Sequence, residues 1–199
     1  MVKLSEKIRK AEIKRETNET NVSVEINLDG IGVSEITTQI NFLSHMLTIF
    51  SRHSNTDLKI KAKGDLNHHL IEDIAICIGI GIDKALGDKK GIERYGDKII
   101  PMDDALAICA LDLGGRIGCY IDLKTSNEKV EDCYVQDIIH FLETLAQNAK
   151  INLHIIVQYG NNDHHKIEAA FKAFAHAFKE AKLRKKNDEN VLSTKGILI

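Results

Sequence analysis

The sequence predicts an α+β fold with two pseudo-repeated halves, each an antiparallel sheet with two helices on one face. The main observation is a repeat, because His-His-x-Ile-Glu occurs at residues 68–72 and again at residues 164–168. Apolar residues follow both copies at helical spacing, and short runs of alternating apolar and polar residues precede them. We therefore expect the 199 residues to form a single domain of two repeats, about residues 15–90 and 91–199.

The first half has the pattern strand, helix, strand and helix. Residues 22–28 alternate apolar and polar side chains, as a half-buried strand does, and Asp29-Gly30 signals a turn after them. An apolar segment at residues 41–50 predicts the first helix, and alternation with lysines at residues 57–63 predicts the next strand. The apolar spacing from residue 71 to residue 82 then indicates one face of an amphipathic helix.

The second half repeats this order. It opens with three strand candidates at residues 98–101, 106–113 and 117–123. A helical segment at residues 138–145, a strand at residues 151–159 and an amphipathic helix from residue 164 follow. Because a two-residue hairpin cannot join parallel strands, we expect antiparallel sheets rather than βαβ winding.

The composition is that of an ordinary globular protein, with 43% hydrophobic and 28% charged residues. A net charge of -2 lacks the basic excess that nucleic-acid binding needs. The longest apolar run, residues 74–82, contains glycines and is too short to span a membrane. Charged residues near the N-terminus interrupt any signal-peptide core. We expect a cytoplasmic protein with no nucleic-acid or membrane partner.

Histidine is the informative residue type, since the chain has nine. A single histidine on a helix is usually an ordinary polar residue, but a set that recurs in both halves points to metal ligands. Six histidines and two glutamates recur in this way: His45, His68, His69, Glu72, His140, His164, His165 and Glu168.

Helical geometry sorts these residues into two sites. His68 and Glu72 share a helix face and can bind one ion, as can His164 and Glu168. The second histidine of each pair points about 100° away and must serve a different ion. Each site is completed by such a histidine and by an upstream histidine, from the other half or from another subunit. Three imidazoles and one carboxylate suit Mn, Fe, Ni or Zn, and six-coordination would leave positions for substrate.

Other functions remain open at this point. A dinuclear metallohydrolase would use the same ligands to activate water against a phosphate ester. A metal-storage or metal-sensing protein would bind the ions without turnover. A nucleotide-binding loop is excluded, because Gly79-Ile-Gly81 lacks a third glycine and lies within the predicted helix.

Nine motifs along nearly the whole chain share the pattern of one enzyme family. They are Arg15-x-Thr17-x-Glu19-Thr20, Phe42-x-x-His45-Met46-Leu47 with His53, His68-His69-x-x-Glu72-Asp73, Gly91-Ile92-x-Arg94-Tyr95-Gly96, Pro101-Met102-Asp103, Asp112-x-x-Gly115-Arg116, Gly160-x-Asn162-x-His164-His165-x-x-Glu168, Phe171-Lys172-Ala173 and Ser193-Thr194-Lys195-Gly196. By these residues the sequence resembles the imidazoleglycerol-phosphate dehydratase family. The resemblance implies a lyase of histidine biosynthesis that converts D-erythro-imidazole glycerol phosphate to imidazole acetol phosphate.

The resemblance also implies the ligands and the assembly. Two Mn²⁺ ions would serve each active site, although other divalent transition metals would also suit these ligands. One ion would take His45, His69, His164 and Glu168, and the other His68, Glu72, His140 and His165. The family forms a homo-oligomer, a 24-mer, with active sites between subunits.

The same resemblance places further residues at the substrate. Glu19 is the candidate for proton transfer. The substrate and its phosphate would be bound by Glu19, His53, Arg94, Arg116, Lys172, Ser193, Thr194 and Lys195. Two positions depart from the family pattern: the loop at residues 64–67 is shorter than usual before His68, and Leu70 stands where threonine is common.

Overall fold

The computed structural model describes residues 8–185 and 190–198. The first half contains three strands, a helix, a strand and a helix: β1 (Lys10–Glu16), β2 (Thr20–Asn27), β3 (Ser34–Thr37), α1 (Asn41–Ser54), β4 (Asp57–Gly64) and α2 (Asn67–Leu86). The second half repeats this order with two additional short strands: β5 (Tyr95–Met102), β6 (Ala105–Asp112), β7 (Gly118–Asp122), β8 (Lys129–Val130), β9 (Cys133–Tyr134), α3 (Val135–Ala149), β10 (Asn152–Tyr159) and α4 (Asp163–Ala181).

The two halves share one sheet topology. The strand order is β1-β2-β4-β3 in the first sheet and β5-β6-β10-β7 in the second. This confirms the α+β fold with two repeated halves. The edge strands β3 and β7 run parallel to β4 and β10, while the other neighbours are antiparallel. A βαβ unit, which the hairpin argument disfavoured, therefore occurs once in each half, where a helix provides the crossover.

The helices lie between the two sheets. In the first half α1 and α2 cover the first sheet, and in the second half α3 and α4 cover the second. Across the halves, α2 packs against α3 and α1 packs against α4. Gly79 allows the first contact, because a Cβ there would lie 2.6 Å from the Asn148 Cβ atom. The helices of the two halves thus pack against each other between the sheets, and the repeated histidines lie on these helices.

Four strands were not predicted: β1 and β3, for a local reason, and the two-residue strands β8 and β9. In β1 only Ile13 is buried, and β3 has four residues with none fully buried. Each of the two segments has too few apolar residues for its sequence to show the alternation that reveals a half-buried strand. Strand β1 begins at Lys10, ahead of the first repeat's predicted start at about residue 15, and the division into repeats of one domain stays a prediction.

In the part of the chain that the structure describes, every helix is too short or too polar to span a lipid bilayer.

Candidate active site

Helices α1 and α4 bring three of the predicted ligands together. Donor atoms of His45, His164 and Glu168 all lie within 4.8 Å of one another. Glu168 Oε2 is 3.3 Å from His164 Nε2 and 3.7 Å from His45 Nε2. Burial opposes ionisation of Glu168, but the hydrogen bond from Lys172 and the nearby cations keep its pKa below the usual range. We call this group the α1–α4 cluster.

Helices α2 and α3 form the equivalent group, but here the His-His pair comes from the first half and the upstream histidine from the second. Donor atoms of His68, Glu72 and His140 also lie within 4.8 Å of one another. His140 Nε2 is 3.7 Å from Glu72 Oε1, and the rings of His68 and His140 stack with centroids 5.2 Å apart. In this α2–α3 cluster, as in the α1–α4 cluster, the upstream histidine comes from the opposite half of the same chain.

The start of α4 explains how one His-His pair is presented. The side chain of Asn162 caps the helix by accepting hydrogen bonds from the backbone N–H groups of His164 and His165. Both histidines therefore sit in the first helical turn, and Glu168 lies one turn after His164 on the same face. The i,i+4 pairing predicted from the sequence thus follows from where the helix begins.

The second histidine of each pair lies outside both clusters. His69 Nδ1 is 3.0 Å from Asp65 Oδ1 and 3.6 Å from Glu19 Oε2. His165 Nδ1 is 2.6 Å from Asp104 Oδ1. These carboxylate contacts raise the pKa of each of the two histidines above its ordinary value. Among the described residues of one chain, each cluster therefore holds three of its four predicted ligands.

Each of the four histidines in the two His-His pairs has a carboxylate within hydrogen-bond distance of its Nδ1 atom. Besides the two contacts above, His68 Nδ1 lies 2.8 Å from Asp137 and His164 Nδ1 lies 3.1 Å from Glu131. An ionised carboxylate only accepts, so in the neutral form of each ring Nδ1 carries the proton and Nε2 keeps the lone pair that can bind a metal. Such partners orient metal-binding histidines.

Sequence reasoning missed these four carboxylates. Asp65 precedes His69 by one helical turn, and that local spacing was an available signal. It lies in the loop at residues 64–67 before His68, so this loop supplies a carboxylate to the histidine pair. Leu70 is fully buried in the core. Asp104, Glu131 and Asp137 come from other elements, and no pattern in the sequence points to them.

A second region collects the predicted phosphate ligands. A groove of about 670 Å³ is lined by Arg94, Arg116, Ser193, Thr194 and Lys195. The C-terminal segment, residues 191–198, forms one wall of this groove. The structure thus brings together five of the eight residues predicted to bind substrate.

Arg94 has a role that the sequence did not indicate. Its guanidinium donates to both oxygens of Asp112, at 2.7 and 2.9 Å, and to the backbone carbonyl of Leu192 at 2.5 Å. The side chain is 9% exposed. Its bidentate hydrogen-bonding geometry is therefore used within the chain, where it holds the C-terminal segment against the groove.

The other predicted substrate ligands lie elsewhere in the chain. Lys172 Nζ lies 2.8 Å from Glu168 in the α1–α4 cluster, and His53 Nδ1 lies 3.1 Å from His176 Nε2. The Glu19 carboxylate is exposed beside His69. None of Glu19, His53 and Lys172 lines the groove among the described residues.

Together these features define a class of protein: a two-repeat α+β chain with paired histidine–carboxylate clusters and a cationic groove. The donor set fits divalent transition metals, since imidazole and carboxylate donors converge without a thiolate. A family model described as imidazoleglycerol-phosphate dehydratase matches residues 38–178.

Individual proteins agree with the family model. The imidazoleglycerol-phosphate dehydratase of Methanococcoides burtonii is 51% identical over 194 residues, which cover 96% of this chain and 100% of that protein. The Methanosarcina barkeri enzyme is 48% identical over the same shares. The crystal structure from Staphylococcus aureus has a TM-score of 0.81 and 37% identity, covering 87% of this chain and 98% of that one. The Pyrococcus furiosus structure has a TM-score of 0.81 and 36% identity, covering 94% and 100%.

The chain belongs to the imidazoleglycerol-phosphate dehydratase family. It is accordingly an enzyme, a hydro-lyase of histidine biosynthesis.

Proposed function

We propose that this enzyme carries out the metal-dependent dehydration of D-erythro-imidazole glycerol phosphate to imidazole acetol phosphate, with two Mn²⁺ ions per active site. The observation that carries the metal dependence is the pair of clusters, in which two histidines and one glutamate converge at equivalent places in both halves. The substrate follows from the family to which the chain belongs. The cytoplasmic location stays a prediction from the sequence.

The fourth ligand of each ion supports an active site between subunits. His69 would complete the α1–α4 cluster and His165 the α2–α3 cluster, but in one chain both rings face other carboxylates. We therefore propose a homo-oligomer, a 24-mer, in which a neighbouring subunit supplies the missing histidine to each cluster. The same assembly would bring Glu19, which lies beside His69, to the cluster that His69 completes.

The reaction removes water across two neighbouring carbons of the substrate. The hydroxyl leaves the carbon next to the imidazole ring, a proton leaves the following carbon, and the resulting enol becomes the ketone. Bound divalent ions would supply Lewis-acid stabilisation of the ring as an imidazolate. The chain's own part in proton transfer falls to Glu19, an exposed carboxylate near His69 that is assigned to neither ion.

We assign binding of the substrate's phosphate to the groove. Arg116, Ser193, Thr194 and Lys195 offer two cations and two hydroxyls on its walls. Arg94 acts there by holding the C-terminal segment through Leu192. Lys172 lies outside this groove, on α4 beside Glu168, where it would contact the substrate at the edge of the α1–α4 cluster.

The test combines a metal measurement with a product assay. Protein purified without chelator is analysed for metal, and its reaction with imidazole glycerol phosphate is followed for keto product and for inorganic phosphate. We expect two divalent ions per chain and a keto product that retains its phosphate. Release of inorganic phosphate would show a metallohydrolase instead, and metal binding without turnover would show a storage or sensing protein. The Glu19→Gln variant should retain its metal and lose turnover.

A further inference from the structure

One segment breaks the symmetry between the two halves. Residues 38–40 connect β3 to α1 in the first half, whereas residues 123–134 make the matching connection from β7 to α3 in the second. The longer connection contains the β8–β9 hairpin, in which Val130 pairs with Cys133 across a loop of Glu131 and Asp132. We call residues 123–134 the insertion.

The first contact of the insertion is with α4. Glu131 Oε1 lies 3.1 Å from His164 Nδ1, on the side of the ring opposite the α1–α4 cluster donor Nε2. In the α2–α3 cluster the corresponding carboxylate is Asp137, three residues before His140 on α3. The matching place on α1, three residues before His45, is Phe42, whose ring centroid lies 5.1 Å from that of His164.

This difference explains why a carboxylate must come from outside the helices. Phenylalanine cannot accept the Nδ1 proton of His164, so α1 cannot do for His164 what α3 does for His68. Glu131 of the insertion supplies the missing acceptor. The repeat therefore preserves the ligands but not the residues that orient them.

The second contact of the insertion is with the start of α1. The Asp132 carboxylate accepts hydrogen bonds from the backbone N–H groups of Asn41, at 2.6 Å, and Phe42, at 2.9 Å. The helix has no side-chain cap of its own at Ile40. A carboxylate at a helix N-terminus is stabilising, and this one holds the turn that precedes His45.

The hairpin itself is firmly anchored. Val130 and Cys133 are buried, with 7% and 2% exposure. Glu131 has a φ of 53°, in the left-handed region that few residues other than glycine adopt. The turn thus carries a glutamate where the backbone alone would favour glycine.

We propose that the insertion positions both histidines of the α1–α4 cluster for metal binding, through Glu131 on His164 and through Asp132 on the helix that carries His45. Glu131 and Asp132 are positioning residues, since neither belongs to the ligand set. This inference rests on the proposed metal centre and goes beyond it, because it assigns positioning by the insertion to the α1–α4 cluster and not to the α2–α3 cluster.

The test is a site-resolved Mn²⁺ titration of metal-free protein, by calorimetry and by the electron paramagnetic resonance of free Mn²⁺. In a Glu72→Gln background the intact site is the α1–α4 cluster, and there Glu131→Gly should weaken Mn²⁺ binding by about 10- to 100-fold. In a Glu168→Gln background the intact site is the α2–α3 cluster, and there the same change should have no effect. Glycine suits the φ at this position, so the metal-free variant should unfold at no lower temperature than its parent.

Two comparisons separate positioning from general damage. Glu128→Gln removes a charge from the same insertion without touching a candidate ligand among the described residues, and it should leave both affinities unchanged. Asp132→Ala should weaken the α1–α4 cluster, while Asp132→Asn, which still caps a helix, should restore it.

The outcomes distinguish this inference from the proposed function. In the Glu131→Gly variant, an equal loss of Mn²⁺ affinity at both clusters, or no loss at either, would overturn the positioning role. If the unmodified protein still bound two Mn²⁺ ions, the proposed metal centre would be unaffected by that result. Unmodified protein that binds no Mn²⁺ would overturn the metal centre, and the positioning role with it.

Discussion

Lys172 Nζ lies 2.8 Å from Glu168 Oε1, one helical turn further along α4. The other oxygen of the same carboxylate, Oε2, faces His164 and His45. The lysine therefore fixes which oxygen is presented to the α1–α4 cluster. In the α2–α3 cluster, Glu72 is 42% exposed, and its only ion-pair partner among the described residues is His140.

The first prediction concerns these two glutamates. Glu72→Gln and Glu168→Gln should each lower the metal content toward half, because the amide keeps the shape of the carboxylate but not its charge. Elemental analysis and far-ultraviolet circular dichroism of each variant check this, and the circular dichroism should be unchanged. Full metal occupancy and activity in both variants would show that the two-site assignment is wrong.

The second prediction concerns metal removal and assembly. If a neighbouring subunit supplies His69 and His165, chelation should reduce the particle mass as well as abolish turnover, and added Mn²⁺ should restore both. Light scattering before and after chelator measures this. An unchanged mass in metal-free protein would show that the ions do not hold the subunits together.

The same ligands predict a pH dependence. Histidine must be neutral to bind metal, so the stabilisation by metal should be present at neutral pH and weaken as the pH falls through about 6 to 5.

The third prediction concerns the C-terminal segment. Arg94→Lys keeps the charge but loses the bidentate hydrogen bonds to Asp112 and the contact with Leu192. We expect the KM for substrate to rise about tenfold with a smaller change in kcat, because the wall of the groove loosens. Steady-state kinetics measures this, with Arg52→Lys on the exposed face of α1 as the matched control. A KM equal to that of the control would exclude a role for Arg94 in holding the groove.

The fourth prediction concerns pH and a buried lysine. Lys182 donates to the backbone carbonyls of Leu28 and Asn55 and is 4% exposed. Burial lowers its pKa from 10.5 to about 8. Between these values the unfolded chain binds more protons than the folded one, so stability should rise with pH over this window.

The contribution of Lys182 is at most about 3 kcal/mol across that window. Denaturant unfolding of metal-free protein at pH 8 and at pH 10.5 measures the rise. It should be lost in Lys182→Met and kept in Lys84→Met, since Lys84 is exposed on α2. The same rise in both variants would mean that other groups cause it.

Much of the fold could be predicted because its signals are local. The alternation at residues 22–28 matches β2, in which Val22, Val24 and Ile26 are buried. The two His-His-x-Ile-Glu segments match the starts of α2 and α4. Strand β3 could not be predicted, because Ile36 is the only apolar residue of this four-residue edge strand, so its sequence has no apolar–polar alternation. Its parallel pairing with β4 depends on partners distant in sequence.

In the candidate site, too, some features follow from local sequence spacing and others from tertiary packing. Helical spacing alone puts Glu72 with His68 and Glu168 with His164, since residues four apart share a face. It left open whether the upstream histidine came from the other half or another subunit. The packing of α1 against α4 brings His45 to the second pair within one chain.

The sequence by itself determined the repeated halves, the four helices and the set of six histidines and two glutamates. Only the tertiary structure decided which helices face each other, and which carboxylates lie behind the histidine rings. Glu131, for example, reaches His164 from 33 residues away, on a hairpin that has no counterpart in the first half. The physical reason is that helical and strand periodicity depend on near neighbours, whereas helix partners and carboxylate contacts depend on how the whole core is buried.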